Sequence, residues 1–202
     1  MSGRSETTSA AVLPPGRWAD GMLPAGVSLG GGTLVKGDFA FKRFLSRLPD
    51  GLVIGCGCTM DGARFAIGEN GRVSIGDHCY FTNAVLLCER ELRIGNFVMI
   101  GWNVTIADTD FHPISPAQRL VDAEACSPLG KGRPRPPIAS HPVVIEDDVY
   151  IGPAATILKG LTIGAGAWIE PGAVVTADVP AGARVLGNPA RIVGAAEPEE
   201  PR

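Results

Sequence analysis

Between residues 145 and 180 a large aliphatic residue recurs every six positions: Ile145, Ile151, Ile157, Ile163, Ile169 and Val175. Four places after each stands a second apolar residue, in turn Val149, Ala155, Leu161, Ala167, Ala173 and Val179. A helix repeats every 3.6 residues and a strand every two, and neither explains an interval of six that never slips. Short strands joined by tight corners do, if both apolar sets point into a narrow prism. Glycine after the aliphatic, as at Gly152 and Gly164, suits a corner with no room for a side chain. The pattern predicts a parallel β-helix with three hexads per coil, so residues 145–162 and 163–180 form two complete coils. A β-sandwich needs turn signals every eight to twelve residues or so and has no use for this lock.

Upstream the spacing holds at Ile94, Ile100 and Ile106, with Val98 and Val104 as inward partners, and at Ile75, Phe81 and Leu87. Ile54 opens an earlier hexad, and the register loosens between Met60 and Ile75. The expectation is an all-β protein of about five coils. Residues 21–194 read as its one domain, residues 1–20 as a mobile arm and 195–202 as a solvated tail. From Asp38 to Leu48 the apolar residues Phe41, Phe44, Leu45 and Leu48 keep helical spacing. They predict a short helix, capped by Asp38, over the open N-terminal end of the coils. Residues 107–144 break the hexads, and prolines at 113, 116, 128, 134, 136, 137 and 142 predict a long loop without regular structure. A loop of that length in a compact repeat points to function.

Composition narrows the chemistry. A length of 202 residues that are 45% hydrophobic but only 6% aromatic, with 27 glycines and 17 prolines, fits one continuous core rich in corners. A net charge of −3 gives no reason to expect nucleic-acid binding. Neither a signal pattern nor an apolar run of spanning length is seen, so the expectation is a cytoplasmic protein without membrane insertion. Of the five cysteines, Cys58 and Cys79 fall on inward positions as core thiols, and Cys56-Gly57-Cys58 has no second pair at zinc-site spacing.

Three histidines are present. His112 stands at the start of the loop in Asp108-Thr109-Asp110-Phe111-His112-Pro113, and either Asp108 or Asp110 is a candidate to orient its imidazole as a general base. His141, just before the first regular coil, is a candidate for the same cleft, and His78 reads as structural. Their wide separation offers no local ligand pair, so no metal is expected.

The run Val143 to Val193, with VVTADVP and GNPARIV near its end, together with the aspartate-rich segment ending in His112-Pro113, resembles the hexapeptide acyltransferases. It is most similar to their maltose/galactoside O-acetyltransferase and polysaccharide acetyltransferase branch. That resemblance implies a left-handed β-helix, a homotrimer with active sites between subunits, and direct acyl transfer from acetyl-CoA or another acyl-CoA. It gives His112 the role of general base and places acceptor contacts near Asn83 and Glu89. The acyl-CoA side falls on Pro153, Pro171, Thr176, Ala177 and Arg191, with Arg191 suited to a coenzyme phosphate. Ala177 and Gly194 replace basic residues often found in the family, and Lys159 or the Lys131–Arg135 tip are candidates to compensate. The function expected is O-acetylation of a sugar, glycan precursor or other small hydroxylated metabolite. An amino-sugar or antibiotic N-acyltransferase, a γ-carbonic-anhydrase-like enzyme and a non-catalytic scaffold remain as alternatives.

Overall fold

The computed structural model describes residues 13–196. Strands stack on three faces of a parallel β-helix. The first face holds Arg17–Trp18, Leu34–Lys36, Thr59–Asp61, Tyr80–Thr82, Met99–Ile100, Tyr150–Ile151, Trp168–Ile169 and Ala183–Gly187. The second holds Val27–Leu29, Leu52–Ile54, Arg72–Ile75, Glu91–Ile94, Val143–Ile145 and Thr162–Ile163, and the third begins at Arg64–Ile67 and ends at Val174–Val175. From Leu34 onward the chain visits first, third and second faces in turn.

The hexad is legible because the rungs are in register. Ile94 pairs with Ile145 and Ile145 with Ile163; Ile100 pairs with Ile151 and Ile151 with Ile169; Ile106 pairs with Ile157 and Ile157 with Val175. Each aliphatic thus rests on its counterpart one coil away, and the columns merge into one buried core with Phe65, Phe81 and Leu86. Where the second face turns into the first, Gly76 shows why the corner excludes side chains. A Cβ there would lie 2.7 Å from the carbonyl of Gly95 on the next coil. A ladder of side-chain acceptors holds the same corner: Asp77 accepts from Cys56 N–H at 2.7 Å, Asn96 from Asp77 N–H at 2.9 Å, and Asp147 from Asn96 N–H at 2.7 Å.

The fold class is as the hexads predict, but among the described residues the first face carries eight parallel rungs rather than about five. The N-terminal coils escape the count because their length varies. The paired residues Leu34 and Thr59, Thr59 and Tyr80, and Tyr80 and Met99 are 25, 21 and 19 residues apart, against 18 for Tyr150 and Trp168. The end of the expected arm is also part of the stack, since Arg17–Trp18 pairs with Leu34–Val35. Residues 1–12 of that arm and 197–202 of the tail lie outside the described residues; within the tail, Ala195 closes a strand, Ala190–Ala195, that runs antiparallel to Ala183–Gly187.

No helix forms between Asp38 and Leu48. The segment makes successive tight turns, and its backbone bonds to the next coil instead: Phe65 N–H reaches Ala40 O, Ile67 N–H reaches Arg43 O, and Leu45 N–H reaches Ile67 O. A waiting strand edge wins over local helical spacing. Phe41 then stacks on Phe65 at 5.7 Å and meets Trp18 edge-on at 5.0 Å, so an aromatic cluster fills the N-terminal end.

The insertion also differs from expectation. It contains the helix α1, Pro116–Cys126, followed by a 3-10 turn at Pro128–Gly130. Pro116 sits in the first helical turn, where a missing N–H costs nothing, and no proline follows until 128. The insertion leaves and rejoins the stack at a narrow neck, where Asp110 N–H bonds Ala139 O at 3.0 Å and His141 N–H bonds Asp108 O at 2.8 Å.

Replacing Ile151 with Ala, at the centre of an in-register column and fully buried, is expected to cost about 2–5 kcal/mol. The midpoint of chemical unfolding measures it, and a loss below roughly 1 kcal/mol would contradict the column as the source of stability.

Candidate active site

On the outer surface of the third face, side chains from successive rungs line up in two columns. The register puts Ala66 beside Leu87 and Ile67 beside Cys88, so the next outward pair is Gly68 and Glu89. The insertion folds over these columns and closes a cleft of about 320 Å³ that His112, Glu89 and Arg135 line.

His112 is placed by several backbone contacts. Phe111 adopts φ 63°, turning the chain sharply, and His112 N–H bonds Asp110 O at 2.7 Å. Arg119 of α1 donates to the carbonyls of Pro113 and Ile114, and Arg135 donates to Phe111 O at 2.9 Å. The imidazole is held at one nitrogen, with Nδ1 lying 2.6 Å from Asp122 Oδ2. Asp122 is buried (1% exposed) while the histidine side chain is 62% exposed. Arg135 grips the same carboxylate from the other side, Nε to Oδ1 at 2.6 Å and Nη2 to Oδ2 at 3.0 Å. Its guanidinium, and then His112, hold the Asp122 carboxyl well below the usual range despite the opposing effect of burial. An ionised Asp122 accepts a hydrogen bond from Nδ1–H and so fixes the tautomer that leaves Nε2 with its lone pair.

The two aspartates expected to orient His112 do other work. Asp108 is fully buried and accepts from the N–H groups of Glu89, Arg90 and Glu91 at 2.8, 2.7 and 2.7 Å. It therefore fixes the turn that carries Glu89. Asp110 pairs with Lys159 at 2.6 Å across the neck, which also commits Lys159 to the insertion. Arg135, in the basic tip expected to meet a phosphate, turns instead to Asp122, a residue that the proline-rich look of the insertion hides in the sequence. The signal lay in the proline-free stretch from Ala117 to Ser127, where Arg119, Asp122 and Cys126 fall on one helical face.

Of the two residues expected on the acceptor side, Glu89 shares the cleft with His112. Its carboxylate leans over Gly68, where a Cβ would lie 2.2 Å from Oε2. Desolvation, then the charge of Asp108, pushes its carboxyl above the ordinary range, and Arg135 opposes them. Asn83 is elsewhere, at the corner between the first and third faces with φ 48°, outside this cleft. His141 also lies outside it; its backbone bonds Asp108 O and Gly160 N–H. His78 stacks on Phe97 at 5.3 Å, away from the insertion.

The five donor-side candidates fall on two edges. Pro153 and Pro171 stand on successive rungs at the corner between the first and third faces, joined by Gly172 N–H to Pro153 O at 2.9 Å. Thr176 and Ala177 follow the last third-face strand, and Ala177 and Arg191 line one depression of about 280 Å³. At the Lys131–Arg135 tip, Arg133 faces Glu124 at 3.5 Å and Arg135 turns inward to Asp122. Among the described residues, no group of three His, Cys, Asp or Glu side chains is placed to hold a metal ion. No helix among them is long and apolar enough to cross a membrane.

Residues 142–179 match the family described as bacterial transferase hexapeptide (six repeats). Over 58 residues the chain is 59% identical to a 2,3,4,5-tetrahydropyridine-2,6-dicarboxylate N-acetyltransferase of Staphylococcus aureus strain JH9, covering 29% of this chain and 24% of that one. The chain thus spans about a quarter of the length of the curated relatives it matches. Among solved structures, a maltose O-acetyltransferase of Clostridium difficile 630 is 30% identical, with a TM-score of 0.55 over 67% of this chain and 64% of that one. A hexapeptide-repeat-containing acetyltransferase of Vibrio cholerae is 30% identical, with a TM-score of 0.56 over 70% of this chain and 71% of that one. The Vibrio protein has also been solved with acetyl coenzyme A. On this coverage and identity, and with the coils stacked in register, the chain belongs to the hexapeptide-repeat acetyltransferase family.

Proposed function

We propose that this protein transfers an acyl group, most simply acetyl, from acyl-CoA to a hydroxyl of a sugar, glycan precursor or other small metabolite. The observation that carries the reading is the His112–Asp122 contact at the edge of the cleft, which leaves one imidazole nitrogen free to take a proton. Nε2 of His112 removes the acceptor proton as the oxygen attacks the thioester carbonyl. Collapse of the tetrahedral intermediate forms the ester and expels the coenzyme thiolate, to which the imidazolium returns the proton. No covalent enzyme intermediate is needed.

The related Vibrio protein solved with acetyl coenzyme A supports the donor. Pro153, Pro171, Thr176 and Ala177 would contact it, several through the backbone, and Arg191 would meet a phosphate. The active form is a homotrimer. Asn83 and His112 belong to opposite edges of the third face, separated by the strand Val85–Cys88, about 13 Å at roughly 3.3 Å per residue. For Asn83 to serve the same reaction it must come from a neighbouring copy. A thioester donor places the reaction in the cytoplasm. An amine acceptor is the second reading, favoured by the N-acetyltransferase name of the Staphylococcus relative. Coenzyme-release assays with paired hydroxyl and amine acceptors separate the two.

His112→Ala is expected to lower kcat by about 10²–10⁴-fold with acyl-CoA affinity nearly unchanged. Steady-state thiol release and calorimetry measure the two, and normal turnover would remove the mechanism. Asp122→Asn presents an amide to Nδ1, frees the wrong tautomer to dominate and should lower kcat by about tenfold or more. Asp122 has a depressed pKa in the folded state, so its stabilising contribution is complete above the unfolded carboxylate value and fades as pH falls below about 4. The gap in Tm between wild type and Asp122→Asn should therefore narrow as pH falls below about 4; a gap that stays open or widens below that pH would contradict the paired carboxylate.

A further inference from the structure

One cation lining the cleft has no assigned role. Arg43 is exposed, and Phe44 pairs with Ile67 in parallel, which places Arg43 one rung from Ala66 and two from Leu87, in the same outward column. All three residues line the cleft. On neighbouring rungs Arg47 is matched by Glu69 at 2.8 Å and Arg72 by Asp50 at 2.9 Å. Arg135, the other cleft arginine, is spent on Asp122. Among the described residues no carboxylate lies within salt-bridge distance of Arg43.

The cleft is therefore polarised. His112 and Glu89 stand at one end, Arg43 at the other, and the small or apolar Ala66, Gly68 and Leu87 form the floor between them. Two rungs separate Arg43 from Leu87, roughly 10 Å at about 4.8 Å per rung. A volume of about 320 Å³ suits a ligand of monosaccharide size lying across that floor.

We propose that the acceptor is a monosaccharide-sized molecule bearing one anionic group, a carboxylate or a phosphate, which Arg43 binds while the reacting hydroxyl lies at His112. The apolar side of the ring packs on Ala66 and Leu87, and Glu89 takes a hydrogen bond from a neighbouring hydroxyl. The guanidinium fork matches either anion in a bidentate manner. This proposal rests on the acyl-transfer reading.

Calorimetry with glucose, glucuronate and glucose 1-phosphate, on wild-type protein, Arg43→Gln and Arg43→Lys, tests it without requiring turnover. The expected result is that wild type binds at least one of the two anions about 10- to 100-fold tighter than glucose. Arg43→Gln should erase that preference, and Arg43→Lys should keep part of it. Preference for glucuronate identifies a sugar acid, and preference for glucose 1-phosphate a phosphorylated sugar. No measurable binding of either anion to wild type, equal binding of glucose, or an unchanged preference in Arg43→Gln overturns the proposal. So does a loss of acetyl-CoA affinity alone in Arg43→Gln, which would move the arginine to the donor side. If the Arg43-dependent anion preference holds while acetyl-CoA supports no thiol release with any of the three acceptors, the acyl-transfer reading fails and the anion site stands.

Discussion

Each coil is held by the one before it. Backbone N–H and C=O groups on all three faces find their partners in adjacent rungs, so each rung is positioned by the one before it, eighteen residues away in the C-terminal coils. In a parallel ladder a slip of one residue would turn the core columns outward along a whole face. That constraint keeps the hexads strict where nothing interrupts them. It also confines departures to corners, where the chain can leave without breaking a strand, and the insertion leaves at the corner between the third and second faces.

How much of this the sequence carries depends on how local the cause is. The C-terminal columns are legible because one residue type, a branched aliphatic, answers one geometric demand at a fixed interval. The N-terminal coils obey the same demand at intervals that vary, so the rungs at Leu34 and Thr59 carry no period to find. Phe41, Phe44, Leu45 and Leu48 have helical spacing, yet helical spacing also suits a run of tight turns, and only the neighbouring strand decides between them. His112 is legible from its setting beside a broken coil. Its carboxylate is not, because Asp122 is ten residues on and meets it only once α1 has folded back.

The two aspartates just before His112 show why nearness in sequence misleads. Asp108 and Asp110 flank the same short run as His112, but one caps the Glu89 turn and the other ties the neck to Lys159. A buried carboxylate is costly unless paired, and Asp108 is claimed by three backbone N–H groups, while the half-buried Asp110 gives one oxygen to Lys159. Asp122 is supplied with a guanidinium and an imidazole and nothing else charged is needed. The cleft thus combines one wall of rigid rungs, carrying Glu89 and Arg43, with one wall borne by the insertion, carrying His112.

The neck has a consequence for how such a protein changes. Because Asp108 and Asp110 are hydrogen-bonded directly to His141 and Ala139, the two ends of the insertion are already neighbours. Closing a segment between fixed, adjacent ends costs entropy that grows only with the logarithm of its length. The residues between can be exchanged for longer or shorter ones with little thermodynamic effect on the rungs above and below. One wall of the cleft is in that sense a replaceable cartridge, seated on a frame that does not have to refold to receive it.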